Sequence, residues 1–566
     1  MTAAAKPPTS TFALIIGAGP VGLYTAIALA GHGYRSIIVE RQAVRRLEQP
    51  KAHAINSRAL EILKQAGIPL TDLRSMGAEP SDADLLRFES SLSGIEFGSM
   101  PYERQDEAVK EFTPEPLTNI PQPKLEAYLQ RHAEKTGLVT IHYSWQWQSC
   151  VQESAGRIQS EVVNLTVGSF VRIDSQYLLA CDGAHSRART AFGISTSIPR
   201  SAYPTSVRYI SATMTADWTR FRSGMLHVII QGQELRVFIA YERSSTWVFM
   251  FGVPYDDSFE KYTEEYCRAA IDKAVGEKTD YTIDNICSWE AALRISDTYR
   301  SKKFPNAFVL GDAAHSFPNA GGLGVNTGFA DVHNLVWKIH AAEKGWTTQA
   351  DALLDTYTAE RKPVAEASCR ISDYNQFRVT EICSKVSSTM ANNPSANWQD
   401  PEKRKLLQDT INAQWSFSDH LNLHIGYVYG MEDLGLAPQG NEKLPANSLF
   451  YKPRCIPGVR LPHGWVTRQG ETVTVSTLDL VDWSAFTVFA AQAHGDLPTS
   501  TKGPNGVPVV YQQLDRDFSD KDGKWSSIMG FMADQGLVVV RPDQHILGIA
   551  ATVDQVGQLL LEHLGL

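Results

Sequence analysis

Three carboxylates stand at the ends of apolar runs: Glu40 after SIIV, and, each next to a glycine, Asp182 after YLLAC and Asp312 after AFVLG. The carboxyl end of a strand is where α/β sheets bind ligands, and an acid there can accept hydrogen bonds from sugar or polyol hydroxyls. Gly17, Gly19 and Gly22 form GxGxxG between the run FALII and a helical pattern of Leu23, Ile27 and Ala30. The first glycine permits a tight turn, the second lets backbone N–H groups approach a pyrophosphate, and the third lets the helix pack on the strand. Glu40 follows at the separation expected of an acid that meets ribose hydroxyls. This strand–turn–helix–strand–acid unit binds a dinucleotide, without distinguishing NAD from FAD.

Two later motifs bear on that choice. The chain reads CDGAHSRAR at Cys181–Arg189 and GDAAHSFPNAGGLGVN at Gly311–Asn326. Asp312 can accept hydrogen bonds from a polyol chain. The turn Gly322, Leu323, Gly324, Val325, Asn326 leads into a helix with Val332, Leu335, Val336 and Ile339 at helical spacing. Backbone N–H groups at that turn can stabilise the negative charge of a reduced isoalloxazine. A second, distant polyol site suits FAD, which is long enough to reach from one turn to the other.

The elements that position these residues occupy a chain of 566 residues, 43% hydrophobic and 20% charged, enough for two to four domains. Disordered, collagen-like and disulfide-rich classes are excluded. A net charge of −9 without a basic tract argues against a nucleic-acid partner. Seven scattered cysteines without CxxC suggest a reducing, cytoplasmic location, and no metal site is read. The uncharged run Phe12–Gly31 is one bilayer crossing long, but its glycine cluster and Pro20 make it a strand, turn and helix, so no membrane partner is expected. From Arg200 to Tyr299, the runs RYISATM, MLHVII, LRVFIAY and TWVFMFGVP alternate with turns, as in an antiparallel sheet. After Pro363 a polar, helix-compatible stretch runs to about Tyr429, with NNPSANWQDPEKRK reading as a surface loop or connector.

On GAGPVG, the Glu40-Arg41 pair, KAHAINSRALEIL, PQPKLEAYL, CDGAHSRAR, GDAAHSFPNAGGLGVNTGFADVHNLVWK and YTAERKP, the sequence resembles the group A flavoprotein aromatic hydroxylases. Phenol hydroxylases and chlorophenol monooxygenases look most similar. The resemblance implies an α/β fold in which a Rossmann-like FAD-binding domain (residues 1–199 and 300–375) is interrupted by an antiparallel substrate sheet (200–299), which in the family covers the flavin and on which His227, Tyr241, Arg243 and Trp247 are candidate pocket members among ordinary sheet residues. A helical connector (376–440) and a thioredoxin-like α/β domain (441–566) follow. Its PGVRLPHGWV, STLDLVDWSAFTVF and GLVVVRPDQHILG segments carry that likeness, and with Cys455 as its lone cysteine it is expected to be redox-inactive and to serve packing or homodimer contacts.

Carried over by residue, Glu40 holds the adenosine ribose with Arg41 beside it, Gln122 approaches the flavin side chain and Asp312 the ribityl chain. Gly322 to Asn326 borders the isoalloxazine, and Asp182 belongs to a motif that serves FAD and a transient NADPH or NADH. The implied reaction is reduction of FAD, addition of O2 at flavin C4a, and transfer of the distal hydroperoxide oxygen to a small phenolic or polyketide-like aromatic substrate. His53 is the candidate catalytic residue: either its imidazole accepts a phenol proton, or it packs beside the flavin as a structural neighbour. His315 reads as structural. Two other outcomes stay open: Baeyer–Villiger oxygen insertion on the same scaffold, and a flavin-binding protein without oxygenase turnover.

Overall fold

The run FALII is buried along the strand Ser10–Ile16, and Pro20 opens the helix Pro20–Gly31 at a position where its missing N–H has no helical partner to lose. The computed structural model describes residues 6–43, 52–153, 156–198, 206–231, 234–393, 397–431, 434–437, 450–492, 497–531 and 536–565. Ser10–Ile16 is central to a seven-stranded sheet. Val139–Tyr143, Ser36–Glu40, Ser10–Ile16 and Phe170–Ala180 run parallel, and Ile158–Asn164 and Trp145–Gln152 continue antiparallel. Ala307–Val309 joins in parallel beside the carboxyl half of Phe170–Ala180. Cys181 N donates to Ile16 O at 2.8 Å and Leu310 N to Ala180 O at 3.0 Å. Three neighbouring strands therefore end in line, and the turns after them carry Gly17, Asp182 and Asp312.

The expected sheet at Arg200–Tyr299 is present, but it is wider than that segment. Its order is Thr282–Ala292, Ser206–Thr215, Thr246–Val253, Glu234–Glu242, Leu226–Gln231, Leu85–Glu89 and Glu96–Pro101. Two strands thus come from before residue 200, Leu85–Glu89 pairing in parallel with Leu226–Gln231. Side chains alternate between two cores, as pleating requires. Ile229, Phe238, Trp247 and Phe249 pack on the helix Glu264–Val275. Val228, Val237, Tyr241 and Val248 face Ala54, Tyr102 and the long helix Ala350–Ala391 through Val379, Ile382 and Val386.

That long helix also crosses the expected boundary at 375, and it contains Pro363 without ending there. In the polar stretch read as a connector, PEKRK is the first turn of the helix Pro401–Asn412, capped by the Asp400 side chain on Glu402 N; residues 394–396 lie outside the described set. The carboxy-terminal unit has a five-stranded sheet ordered Ser500–Lys502, Pro508–Gln513, Phe486–Ala490, Leu537–Val540, Ile546–Ala550, with one parallel pair, Phe486–Ala490 and Pro508–Gln513. Val556, Leu560 and Leu564 of the helix Val553–Leu564 pack over it together with Trp337 and Trp346 of the flavin-side helices and loops. Among the described residues, no helix is long and apolar enough to cross a membrane.

Candidate flavin and substrate site

At the first turn, Gly17 has φ +104°, and a Cβ there would lie 2.5 Å from Cys181 O, so only glycine lets the two strand ends meet. A Cβ on Gly22 would sit 2.0 Å from Gly17 O, whereas one on Gly19 meets nothing within 4 Å, leaving that side open to a ligand. Glu40 is fixed beside this turn, its two oxygens accepting Ala18 N at 3.0 Å and Gln42 N at 2.9 Å. Arg41 is exposed beside it. Asp182 accepts Ala188 N at 3.3 Å through Oδ2, while Oδ1 is buried with no hydrogen-bond partner among the described residues. Burial pushes the Asp182 carboxyl up, and a buried acceptor left unpaired is costly unless a bound hydroxyl or N–H satisfies it. Asp312 is exposed on the next turn, its Oδ1 3.7 Å from where a Cβ on Gly324 would be. The open Gly19, the orphaned Asp182 oxygen and the Asp312–Gly324 cradle fit an FAD laid across the three strand ends.

Other residues expected at the FAD also tie the frame together. Asn326 is buried: its amide nitrogen donates to Ala54 O at 2.9 Å and Gly322 O at 2.6 Å, and its oxygen accepts Asn56 N at 3.0 Å. It thereby ties the glycine turn to the segment bearing His53. Gly322, at φ +63°, would place a Cβ 2.9 Å from Ala54 Cβ. Leu323 packs with Val364, Ala367 and Ile371, and Val325 lies against the main core. Gln122 Oε1 accepts Ala52 N at 3.2 Å, and Gln122 N donates to Ala52 O at 2.9 Å.

Behind the Asp312 turn, Asp331 accepts His315 Nε2 at 2.7 Å, Gly311 N at 3.1 Å and Arg361 Nε at 3.0 Å, all buried. His315 occupies the structural place expected of it. Asp331 and Arg361 were visible as letters of the GFADVHN and YTAERKP segments, but their meeting was not.

His53 leaves the short strand pairing of Ala54–Ile55 with Thr118–Asn119, its carbonyl accepting Ile120 N at 2.7 Å. Its Nε2 lies 3.0 Å from Tyr102 Oη, and its ring meets Tyr241 edge-on at 5.3 Å. Burial pulls the imidazole down to about 4. Tyr102 and Tyr241 are pushed up by burial, so both hydroxyls stay protonated. Tyr241, one of the four sheet candidates, thus lies against His53, and Tyr102 joins them from a segment with no motif to announce it.

The other three sheet candidates do not join them. His227 and Trp247 lie on the opposite face, in the core against Glu264–Val275; His227 Nδ1 faces Glu89 Oε2 at 2.8 Å, both wholly buried. Arg243 sits at the hairpin turn, donating to Asp82 Oδ1, Thr219 O and Phe221 O, each at 2.6 Å. Among the described residues no metal-binding cluster is found.

A family profile described as "FAD binding domain" matches residues 10–372. A 2,4-dichlorophenol 6-monooxygenase of Cupriavidus pinatubonensis is 25% identical over 97% of this chain and 95% of its own length. A putative polyketide hydroxylase of Streptomyces halstedii is 28% identical over 94% of this chain and 91% of its own. Among solved structures, the flavin-dependent monooxygenase PieE in complex with FAD and substrate superimposes with a TM-score of 0.85 at 23% identity, covering 99% of this chain and 100% of that one. Aklavinone-11 hydroxylase with FAD and aklavinone does so at 0.77 and 22%, over 99% and 100%. These likenesses establish a shared fold over the whole chain.

Proposed function

The chain belongs to the FAD binding domain family as a flavin-dependent monooxygenase, and we propose that it consumes NAD(P)H and O2 to hydroxylate a phenolic or polyketide-like aromatic substrate. The observation that carries this reading is the convergence of the Gly17, Asp182 and Asp312 turns next to the His53–Tyr102–Tyr241 cluster, across the Gly322–Ala54 contact.

Bound FAD supplies a centre that takes electrons from a nicotinamide and activates oxygen. The protein's part is binding, orientation and exclusion of water. Glu40 would offer an acceptor to the adenosine ribose, Asp312 to the ribityl hydroxyls, and Asp182 to FAD and the visiting NAD(P)H. The first N–H groups of the helix Gly324–Glu343 receive no side-chain cap at Leu323, and at the glycine turn they would stabilise negative charge on the flavin. Ala54, Leu117, Met225 and Val248 form an apolar wall around Tyr102 and Tyr241.

His53 is neutral at physiological pH, and its Nε2 is engaged by the Tyr102 hydroxyl. An imidazole with so low a pKa is a poor proton acceptor, which supports its role as hydrogen-bonding neighbour over that of general base. Lone Cys455, its thiol pushed up to about 11 by burial, supports the redox-inactive reading of the carboxy-terminal unit, which we take as thioredoxin-like and as a homodimer contact.

The deciding experiment offers a panel of phenols, fused-ring phenols and ketones to yellow holoenzyme under labelled oxygen. NAD(P)H oxidation, hydrogen peroxide and labelled product are followed together. A phenol or fused-ring phenol that gains one labelled hydroxyl is the expected result. A labelled lactone from a ketone would replace hydroxylation with Baeyer–Villiger chemistry, and no stimulated NAD(P)H oxidation would leave a flavin binder without turnover.

A further inference from the structure

Next to Tyr102 the backbone is strained. Glu103 has φ +57°, and it is neither glycine nor one of the short polar residues that visit this region readily. Such a conformation persists only where the surroundings over-determine it, and it tends to mark a place where position matters. Here the surroundings are explicit. The Glu103 side chain is buried, Oε1 lying 2.5 Å from His420 Nδ1 and Oε2 accepting His420 N at 3.2 Å. His420 directly precedes the helix Leu421–Ile425, and its Nε2 lies 2.8 Å from the Asn375 amide nitrogen on the long helix. That nitrogen is in turn 3.2 Å from where a Cβ on Gly321 would be, at a turn residue with φ +104°.

We propose that Glu103, acting through His420 and Asn375, is a positioning residue that holds the Tyr102–His53 wall in register with the Gly321–Gly322 turn bordering the flavin. Three segments far apart in sequence are joined in this chain: the Tyr102–Glu103 corner, the helix start at His420, and the long helix at Asn375. At one end the corner residue adjoins the tyrosine that touches His53; at the other, an amide abuts the turn that approaches Ala54.

The charges around the pair favour its formation. Burial opposes both ions, but each partner outweighs it, leaving the Glu103 carboxyl lowered and His420 raised. Asp419, paired with Arg104 at 3.6 Å, the His424 ring at 6.3 Å and the Tyr102 hydroxyl are titratable groups around the pair. When Nδ1 donates to Glu103 and Nε2 is bare, Nε2 accepts the Asn375 N–H. A doubly protonated ring requires the amide to present its oxygen instead.

This inference rests on the flavin and substrate reading above, so its test uses signals that need no turnover. Holoenzyme carrying Glu103→Gly, Asn375→Ala or both is compared with the unaltered protein in the visible circular dichroism of bound FAD and in FAD affinity. Glu103→Gly relieves the backbone while cutting the chain at one end; Asn375→Ala cuts it at the other. Each single variant should alter the flavin dichroism in the same sense, and the double variant should be no worse than the more affected single. With a substrate that is turned over, the share of NAD(P)H lost as hydrogen peroxide should rise at least about twofold in each. Unchanged flavin dichroism and affinity in both singles, or strictly additive effects in the double, would overturn the proposal. If Glu103→Gly does not fold, Glu103→Gln takes its place in the same cycle. A protein that shows these flavin changes yet oxygenates nothing refutes the monooxygenase reading and leaves the positioning chain intact.

Discussion

Glu360 and Arg361 are consecutive residues of the long helix that bind different parts of the molecule. Glu360 accepts Arg541 of the carboxy-terminal unit at 2.6 and 2.9 Å, while Arg361 donates to Asp331 at 3.0 Å behind the Asp312 turn. Lys338 also meets Glu360 at 2.7 Å, and Asp543 accepts Trp337 Nε1 at 3.1 Å, so the helix after the glycine turn is gripped from the same side. One peptide bond thus separates the docking of the tail from the support of the flavin site.

Arg361→Met should uncover the cost of that arrangement. It leaves the fully buried Asp331 with His315 and Gly311 but without its guanidinium, and breaking such a pair typically costs about 3–5 kcal/mol. Denaturant unfolding of the holoenzyme measures it. A loss under about 1 kcal/mol would mean that the pair is not a principal support.

Asp312→Ala should weaken FAD retention by about 10- to 100-fold, the usual worth of a hydrogen bond to a charged group. Equilibrium dialysis or flavin fluorescence titration reads it directly. Full FAD occupancy in that variant after dilution would remove Asp312 from the binding set.

The flavin frame was legible because its chemistry is local in sequence. GxGxxG, the acid at Glu40 and the Asp-Gly and Gly-Asp pairs each sit within a few residues of a strand end, and apolar runs marked those strands. The substrate side was not. His227 and Tyr241 both lie on strands that the sequence revealed, yet they point to opposite faces, and a bulge between Ala240 and Glu242 shifts the register where Tyr241 sits. Which face turns toward His53 depends on the helix Glu264–Val275 covering the other one, a fact of packing rather than of pattern. Tyr102 and Glu103 were hidden for a related reason: the strands Leu85–Glu89 and Glu96–Pro101 deliver them, and these belong to a sheet most of which comes more than a hundred residues later.

Acid should destabilise the protein before carboxylates protonate. Burial pulls His53, His340, His424 and His545 down to about 4, and His32, His463 and His563 to about 3. Between pH 6.5 and about 4 these groups take protons in the unfolded chain but not in the folded one, so stability falls as pH falls through that window. His420, raised by Glu103, works in the opposite sense in a different window: its contribution is complete below pH 6.5 and is lost as pH rises above it. Urea midpoints measured from pH 7.5 to 4.5 should decline steadily; a flat profile would contradict neutral, buried imidazoles.

For catalysis the same shift predicts that no inflection near pH 6.5 in kcat/KM belongs to His53. His53→Ala should raise the peroxide share by leaving Tyr102 Oη without its partner, and His53→Gln should restore part of the coupling. Unchanged rate and coupling in His53→Ala with an authentic substrate would reduce His53 to a bystander.

Cys455→Ser should leave unfolding midpoint, NAD(P)H oxidation and coupling unchanged within about 0.5 kcal/mol or its rate equivalent. A redox-dependent change in the unaltered protein that vanishes in this variant would overturn the inert reading of the tail.

The strand Ala307–Val309 closes against Phe170–Ala180, and translation sets the time between their appearances. At roughly 5–20 residues per second, the 127 residues separating Ala180 from Ala307 take about 6–25 s to emerge. Until then, the edge that will set Asp182 beside Asp312 is an unpaired row of backbone donors and acceptors on the ribosome. Cofactor loading cannot begin there, and yield in a heterologous host should depend on how well nascent strand edges are protected during that interval.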